Sequence, residues 1–288
     1  MQLKKPIFWN KKGFLSILLY PLTIITYFFN LTKKQIKKKK IKIKTICIGN
    51  IYIGGTGKTP LSIKINKILR KNYKTVFIKK KYLNQIDEQK LLKNNGKLIC
   101  KSTRFISLKH AENEGFELAI LDDGLQEKQF DYDISIACFN TTSGVGNGFL
   151  LPAGPLRENL STLKNYHAVF LTGEKNNKKL IQLLKKTNKN TKLFEGKYRP
   201  ENLQKFNRNK NYLAFSGLGN PKEFENTLKK YKFKIKEKLI FPDHYNFSNS
   251  EINEIKKKAE IAKLEIITTE KDYLRLNKNN KKNINFLK

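Results

Sequence analysis

Cysteine is scarce and odd in number, with three in 288 residues. Cys47, Cys100 and Cys138 lie in the apolar runs TICIGN, KLIC and SIACF. No CxxC or Cys/His spacing is present, so a disulfide framework and a zinc module are both excluded. The three thiols read as small buried hydrophobes of a chain kept in a reducing cytoplasm. Glycine (16) and proline (8) are scattered without period, which excludes collagen-like and low-complexity chains. Acidic residues are also few: 24 Asp and Glu stand against 59 Lys and Arg, a formal net charge of +35. Arginine contributes little to that excess, occurring only as Arg70, Arg104, Arg157, Arg199, Arg208 and Arg275. Arginine is the side chain that forks onto phosphate and guanine edges, so its scarcity counts against nucleic acid as the partner. Lysine comes with abundant Asn and Ile, as an AT-rich genome writes at tolerant surface sites. Most of the charge is therefore assigned to solvated faces, with attraction to an anionic membrane as the leading functional alternative.

What is present is enough apolar material for a core. Hydrophobic residues make up 39% of the chain, too many for a disordered polyelectrolyte, and the length suits one large domain or two modest ones.

Residues 13–32, GFLSILLYPLTIITYFFNLT, carry no charge. They are flanked by Lys4, Lys5, Lys11 and Lys12 before and by Lys33, Lys34 and Lys37 to Lys40 after. The run is about long enough to cross a bilayer as a helix, but Pro21 interrupts it and no small-residue cleavage site follows. Lysines on both sides set no orientation. The favoured expectation is a kinked helix lying in the cytoplasmic leaflet and held by its basic flanks; a buried helix of the globular core is the alternative.

The strongest chemical signal follows. IKIKTICIGN reads as a buried strand, IYIGGTGKTP as a glycine-rich turn, and LSIKINKILRKN has helical apolar spacing. Strand, glycine turn, Lys-Thr and helix are the order of a phosphate-binding loop. Gly54, Gly55 and Gly57 permit backbone N–H groups to converge on phosphate oxygens. Lys58 would reach the β- and γ-phosphates, the Thr59 hydroxyl would ligate Mg²⁺, and the helix dipole would favour the same anion. The full pattern asks for glycine where Tyr52 stands. Downstream, FELAILDD (116–123) is an apolar strand ending in Asp122 and Asp123, placed to serve a metal at the carboxyl edge of a sheet; an ordinary strand-end turn is the alternative.

Six segments together resemble the tetraacyldisaccharide 4′-kinase family: GNIYIGGTGKTP (49–60), DDGLQ (122–126), GNGFLLPAGPLRE (146–158), SGLGNPKEF (216–224), FPDH (241–244) and TTEKD (268–272). The resemblance implies that Mg·ATP phosphorylates the 4′-hydroxyl of an acylated glucosamine disaccharide 1-phosphate in lipid A biosynthesis. It implies the cytoplasmic face of the bacterial inner membrane as the place, the membrane surface as a partner, and no nucleic acid. By position, Tyr52, Ile53, Gly54, Gly55, Thr56, Gly57, Lys58 and Thr59 correspond to the ATP loop. Thr59, Asp122, Asp123 and Glu158 fall at the metal, with Gln126 and Arg157 beside them. Asp87, in QIDEQKLL, corresponds to the base for the sugar hydroxyl and His244 to its partner. Such a dyad suits a poor nucleophile that must be oriented and lose a proton. Taken alone, Asp87 could cap a helix and His244 a turn. The chain departs from the family at Lys79-Lys80-Lys81-Tyr82, where serine-arginine-glycine-tyrosine is usual. It departs again at Glu127, where histidine is usual, and at Tyr52.

Strand-like runs alternate with helical stretches from 41 to 173, which predicts an α/β fold with a parallel sheet covered on both faces. The expected domains are an apolar membrane-associating segment (1–40), a P-loop domain (41–173) and a smaller α/β lobe (174–288). Two lobes meeting at a cleft would set His244 opposite the P-loop, and their closure would exclude water. A soluble P-loop small-molecule kinase or NTPase is the second reading, and a nucleic-acid-binding ATPase, supported by charge alone, is the third.

Overall fold

The computed structural model describes residues 6–32, 37–82, 85–174 and 176–288. Lys4, Lys5, Lys33 and Lys34, expected to flank the apolar segment, lie outside the described residues. The described residues divide into two compact units, one built from residues 6–81 with Leu92–Lys197, the other from Tyr82–Leu91 with Tyr198–Lys288.

The first unit is built on seven strands: β1 (Lys44–Gly49), β2 (Thr75–Lys80), β3 (Leu98–Lys101), β4 (Leu118–Asp122), β5 (Ile134–Asn140), β6 (Ala168–Thr172) and β7 (Lys192–Gly196). They lie in the order β3-β2-β4-β1-β5-β6-β7, and every neighbouring pair is parallel. Parallel strands need crossover helices, so both sheet faces are covered and strand sequences become continuously apolar. In β1, Cys47 faces a cluster with Val76, Leu121 and Leu108 of α5 (Arg104–Asn113). Its neighbours Ile46 and Ile48 face the opposite cluster with Leu61 of α3 (Lys58–Leu69) and Phe77. Side chains alternate across a strand, so one run feeds both cores. Each fully buried Leu, Ile or Phe contributes about 1.5–3 kcal/mol of burial. Two of the three cysteines follow their expected role: Cys47 and Cys138 are buried, whereas Cys100, on the edge strand β3, is only partly so, and desolvation pushes the Cys47 thiol up to about 12.

The apolar N-terminal run forms α1 (Phe14–Leu18) and α2 (Thr23–Thr32), separated by a 3-10 turn at Tyr20–Leu22. Pro21 occupies that turn, where its missing N–H costs no helical hydrogen bond. The alternative of a helix buried in the core is overturned. Phe14, Ile17, Ile25, Phe28 and Phe29 are all more than half exposed, and only Ser16 and Thr23 of these two helices are buried. Among the described residues no helix is long and apolar enough to cross a membrane. The segment is tied down through polar atoms: Trp9 Nε1 donates to the Pro152 carbonyl (2.9 Å), Thr26 Oγ1 to Leu151 (2.8 Å) and Asn30 Nδ2 to Arg157 (2.8 Å).

The second unit has four parallel strands, β8 (Asn211–Ser216), β9 (Lys234–Ile240), β10 (Glu265–Thr269) and β11 (Ile284–Leu287), in the order β11-β10-β8-β9. Helix α8 (Asn249–Ile261) covers one face through Ile252 and Ile255. Helix α7 (Pro221–Lys230) covers the other through Phe224 and Leu228. The boundary expected at 173/174 therefore moves to 197/198. Helix α6 (Lys178–Thr187) buries Leu180 and Leu184 in the first unit's core, and β7 pairs with β6 as its last strand. Residues 6–32 group with the P-loop unit instead of standing apart. Residues 82–91, with the start of α4 (Ile86–Lys93), group with the second unit.

Candidate active site

In the first unit the carboxyl ends of β1 and β4 deliver the phosphate loop and the acidic pair side by side. Gly57 is the N-cap of α3 in the left-handed region (φ 82°) and no side chain caps the helix, so its first N–H groups are available to an anion. The loop is braced from below. Asn50 Nδ2 donates to Thr56 Oγ1 (2.9 Å), the Thr172 hydroxyl donates to the Thr56 carbonyl (3.2 Å), and Ile53 N donates to Pro155 O (2.8 Å). Tyr52, where the pattern asks for glycine, is buried and forms a bridge with Leu156. Its ring lies against the Gly54 turn (φ 131°). It therefore replaces a flexible hinge with a packed support.

Thr59 and Asp122 are brought together as expected: the Thr59 hydroxyl donates to Asp122 Oδ2 at 3.1 Å, and Ser62 Oγ donates to Oδ1 at 3.2 Å. Asp122 is fully buried, and Lys79 Nζ, 1% exposed, pairs with its Oδ2 at 2.7 Å. Asp123 turns the other way in a left-handed conformation (φ 58°), which a non-glycine residue adopts only at some cost. It faces Arg157 (3.3 Å) and Lys58 (3.8 Å). Burial pushes the Asp123 carboxyl up, yet the charges of Lys58, Arg157, Lys79 and Arg104 prevail and hold it down at about 2. Gln126 joins this group, accepting from Arg157 (3.3 Å) and donating to the Asn50 carbonyl (2.8 Å). Glu158 sits apart: it accepts from the Tyr166 hydroxyl at 2.8 Å, with Lys128 Nζ 4.0 Å away.

Among the described residues no cluster of three His, Cys, Asp or Glu side chains could cage a metal. Mg²⁺ rarely uses such a cage, keeping waters and binding through one or two carboxylates plus phosphates. The Thr59 hydroxyl beside the Asp122 carboxylate fits a metal that arrives with a nucleotide. Asp123 and Glu158, placed in the metal set from the sequence, are occupied by cations and by Tyr166 respectively.

The second unit assembles a different cluster. Asp87, in the first turn of α4, is 2% exposed, and its Oδ1 lies 3.1 Å from His244 Nδ1. With Nδ1 donating, Nε2 accepts from Lys271 Nζ at 3.4 Å. His244 is left-handed (φ 57°), with its N–H donating to Asp243 Oδ1 at 3.0 Å. Asp87 is thus no helix cap and His244 no mere turn residue. Asp87 Oδ2 accepts from Arg275 at 2.6 Å, with Lys271 at 3.5 Å. Arg275 is itself fixed by Asp272 Oδ1 (2.7 Å) and the Gly217 carbonyl (2.8 Å). Burial pushes the Asp87 carboxyl up, but the His244 hydrogen bond and the Lys271 and Arg275 charges outweigh it and hold the group well below the usual carboxylate range. Lys271 moves up instead: burial lowers it, and Glu88, Asp243 and Asp87 more than compensate.

Sequence reasoning missed Lys79, Ser62, Tyr166, Lys271 and Arg275. One signal was available. TTEKD carried no assigned role, yet Lys271 and Arg275 are four residues apart, the spacing that puts two cations on one face of a turn.

The sequence model of the tetraacyldisaccharide-1-P 4′-kinase family matches residues 15–97 and 84–288. Tetraacyldisaccharide 4′-kinase of Pelagibacter ubique is 50% identical over 100% of this chain and 93% of its own. The enzyme of that name from Rickettsia akari is 32% identical over 96% of this chain and 90% of its own. A crystal structure of the "apo" form of LpxK from Aquifex aeolicus in complex with ATP shares the fold, with a TM-score of 0.68 at 23% identity, over 96% of this chain and 94% of that one. The parallel α/β fold, the ordered motifs and these full-length matches agree, and the chain belongs to the tetraacyldisaccharide-1-P 4′-kinase family.

Proposed function

We propose that this chain transfers the γ-phosphoryl group of ATP to the 4′-hydroxyl of a tetraacyldisaccharide 1-phosphate, at the cytoplasmic surface of the bacterial inner membrane, in lipid A biosynthesis. The observation that carries the reading is the Thr59–Asp122 contact at 3.1 Å beneath an uncapped α3, in a chain of this family. Lys58 neutralises the transferring phosphates, and the backbone N–H groups after Gly57 orient them. Thr59 and Asp122 are the groups that would hold Mg²⁺, which when bound offsets the charge developing on the phosphate oxygens. Asp87, oriented by His244 and Arg275, takes the proton of the sugar hydroxyl. The exposed side chains of α1 and α2, Phe14, Ile17, Ile25 and Phe28 among them, support a surface that rests in lipid, since monomeric soluble proteins rarely expose so continuous an apolar patch. Lys11, Lys12 and Lys37 to Lys40 add attraction to anionic headgroups.

The test is a Mg·ATP-dependent assay on the tetraacylated disaccharide 1-phosphate in mixed micelles, read by mass. Gain of one phosphate on the non-reducing sugar supports the reading. A folded, ATP-binding protein that yields no product refutes it.

A further inference from the structure

Lys79 departs from the general role of lysine in this chain. Most of the basic excess was assigned to solvated faces, but Lys79 ends 1% exposed with its ammonium 2.7 Å from a fully buried carboxylate. The register explains how it gets there. Ile78 pairs with Leu121 across the β2–β4 ladder, so the next residues, Lys79 and Asp122, leave the sheet together on the face opposite Ile78 and Leu121. That face is covered by the start of α3, whose Thr59 and Ser62 hydroxyls bind the same carboxylate. Asp122 thereby carries a resident cation beside its two hydroxyl partners.

The charges around the phosphate loop are unequal. Lys58, Lys79, Arg104 and Arg157 all act on Asp123, and Asp122 and Asp123 are the carboxylates with which Lys79, Lys58 and Arg157 pair there. Arg104 also donates to the Asp123 carbonyl and is buried. An uncharged side chain at position 79 would leave Asp122 without this cation and reduce the local positive charge by one. A buried charge acts across several ångströms with little screening.

We propose that Lys79 is a resident counter-cation of the nucleotide site: fixed on Asp122, it supplies positive charge that a divalent ion otherwise brings, so that ATP binds this chain with little dependence on metal while Asp122 stays positioned against Thr59. The inference rests on the reading of residues 52–59 as the ATP loop. It concerns binding alone, because the transferring phosphoryl group still needs the metal in the reaction itself.

Binding of ATP to the full chain is measured by calorimetry in Mg²⁺ and in EDTA, for the wild type, Lys79→Gln and Lys79→Arg, with circular dichroism melts as a check of folding. The wild type is expected to bind ATP in the two buffers within about tenfold. Lys79→Gln keeps a donor but no charge and should weaken metal-free binding by about tenfold or more while changing Mg·ATP binding less. Lys79→Arg restores the wild-type ratio. A purely structural lysine would lower the melting temperature without moving the ratio, and that result overturns the inference. Should Lys79→Gln fail to fold, the wild type decides: a loss of more than about a hundredfold in EDTA overturns the inference. Absence of ATP binding in both buffers removes the loop assignment itself, whereas binding with an unmoved ratio removes only the role of Lys79.

Discussion

Replacing Arg275 by glutamine probes the proposed base from behind. The Arg275 guanidinium donates to Asp87 Oδ2 at 2.6 Å, and both side chains are almost completely buried. Asp87 also faces Lys271, His244 and, across Lys271, the carboxylates Glu88 and Asp243. The cations dominate and hold Asp87 below the usual carboxylate range, so the wild-type base is ionised through the whole neutral region. A hydrogen bond to a charged partner is worth about 1.5–3 kcal/mol, and one pH unit corresponds to about 1.4 kcal/mol. Losing Arg275 should therefore raise the Asp87 group by about one to two pH units. A base works when deprotonated, so the acid limb of kcat/KM moves to higher pH by that amount, while Arg275→Lys moves it less. The assay is initial-rate phosphorylation in mixed micelles from about pH 2 to 7, so that it reaches below the usual carboxylate range where Asp87 titrates, with a circular dichroism melt at each end. Asp272 and the Gly217 carbonyl also lose a partner in this variant, so only a folded preparation counts. A folded Arg275→Gln enzyme whose acid limb coincides with the wild type refutes the assignment of Arg275 to Asp87 and with it the reading of Asp87 as the titrating base.

Other outcomes follow from the same geometry. Lys58→Ala should lower kcat by about a hundredfold to a thousandfold, and near-normal turnover in a steady-state assay would dismiss the loop. Asp123 has a folded-state value of about 2 against an ordinary 3.8, so its pairing stabilises the fold by about 2 kcal/mol above pH 4 and that stability disappears as pH falls towards 2. In urea titrations between pH 2 and 5, Asp123→Asn should flatten the dependence, and an unaltered slope would contradict the pairing. Replacing Phe14, Ile17, Ile25 and Phe28 together by serine should leave the melting temperature nearly unchanged, since all four are exposed. The same variant should partition into anionic vesicles about a hundredfold less, and undiminished partitioning in a flotation assay would show that this face does not enter lipid.

Much of the first sheet is legible in the chain because parallel strands buried on both faces must be apolar throughout, as TICIGN and ELAILDD are. The strands that escape reading are those at sheet edges. β9, KIKEKLI, alternates exposed and half-buried positions, and its lysines solvate an open edge; β7 and β11 are equally short or polar. The displaced boundary at 197/198 has the same origin, since only pairing with β6 shows that β7 belongs to the first sheet.

By itself the sequence determined the chemistry on offer: a strand, a glycine turn with Lys58 and Thr59, an acidic pair at a strand end, and an apolar segment broken at Pro21. Each is a local property, carried by spacing, steric freedom or hydropathy over a few residues. Which groups meet was decided only by tertiary structure. Asp87 and Arg275 stand 188 positions apart in sequence and 2.6 Å apart in space, and Lys79 reaches Asp122 only because β2 lies against β4. Partnership between charges depends on strand register and on exclusion of water, and both arise only once distant segments have packed.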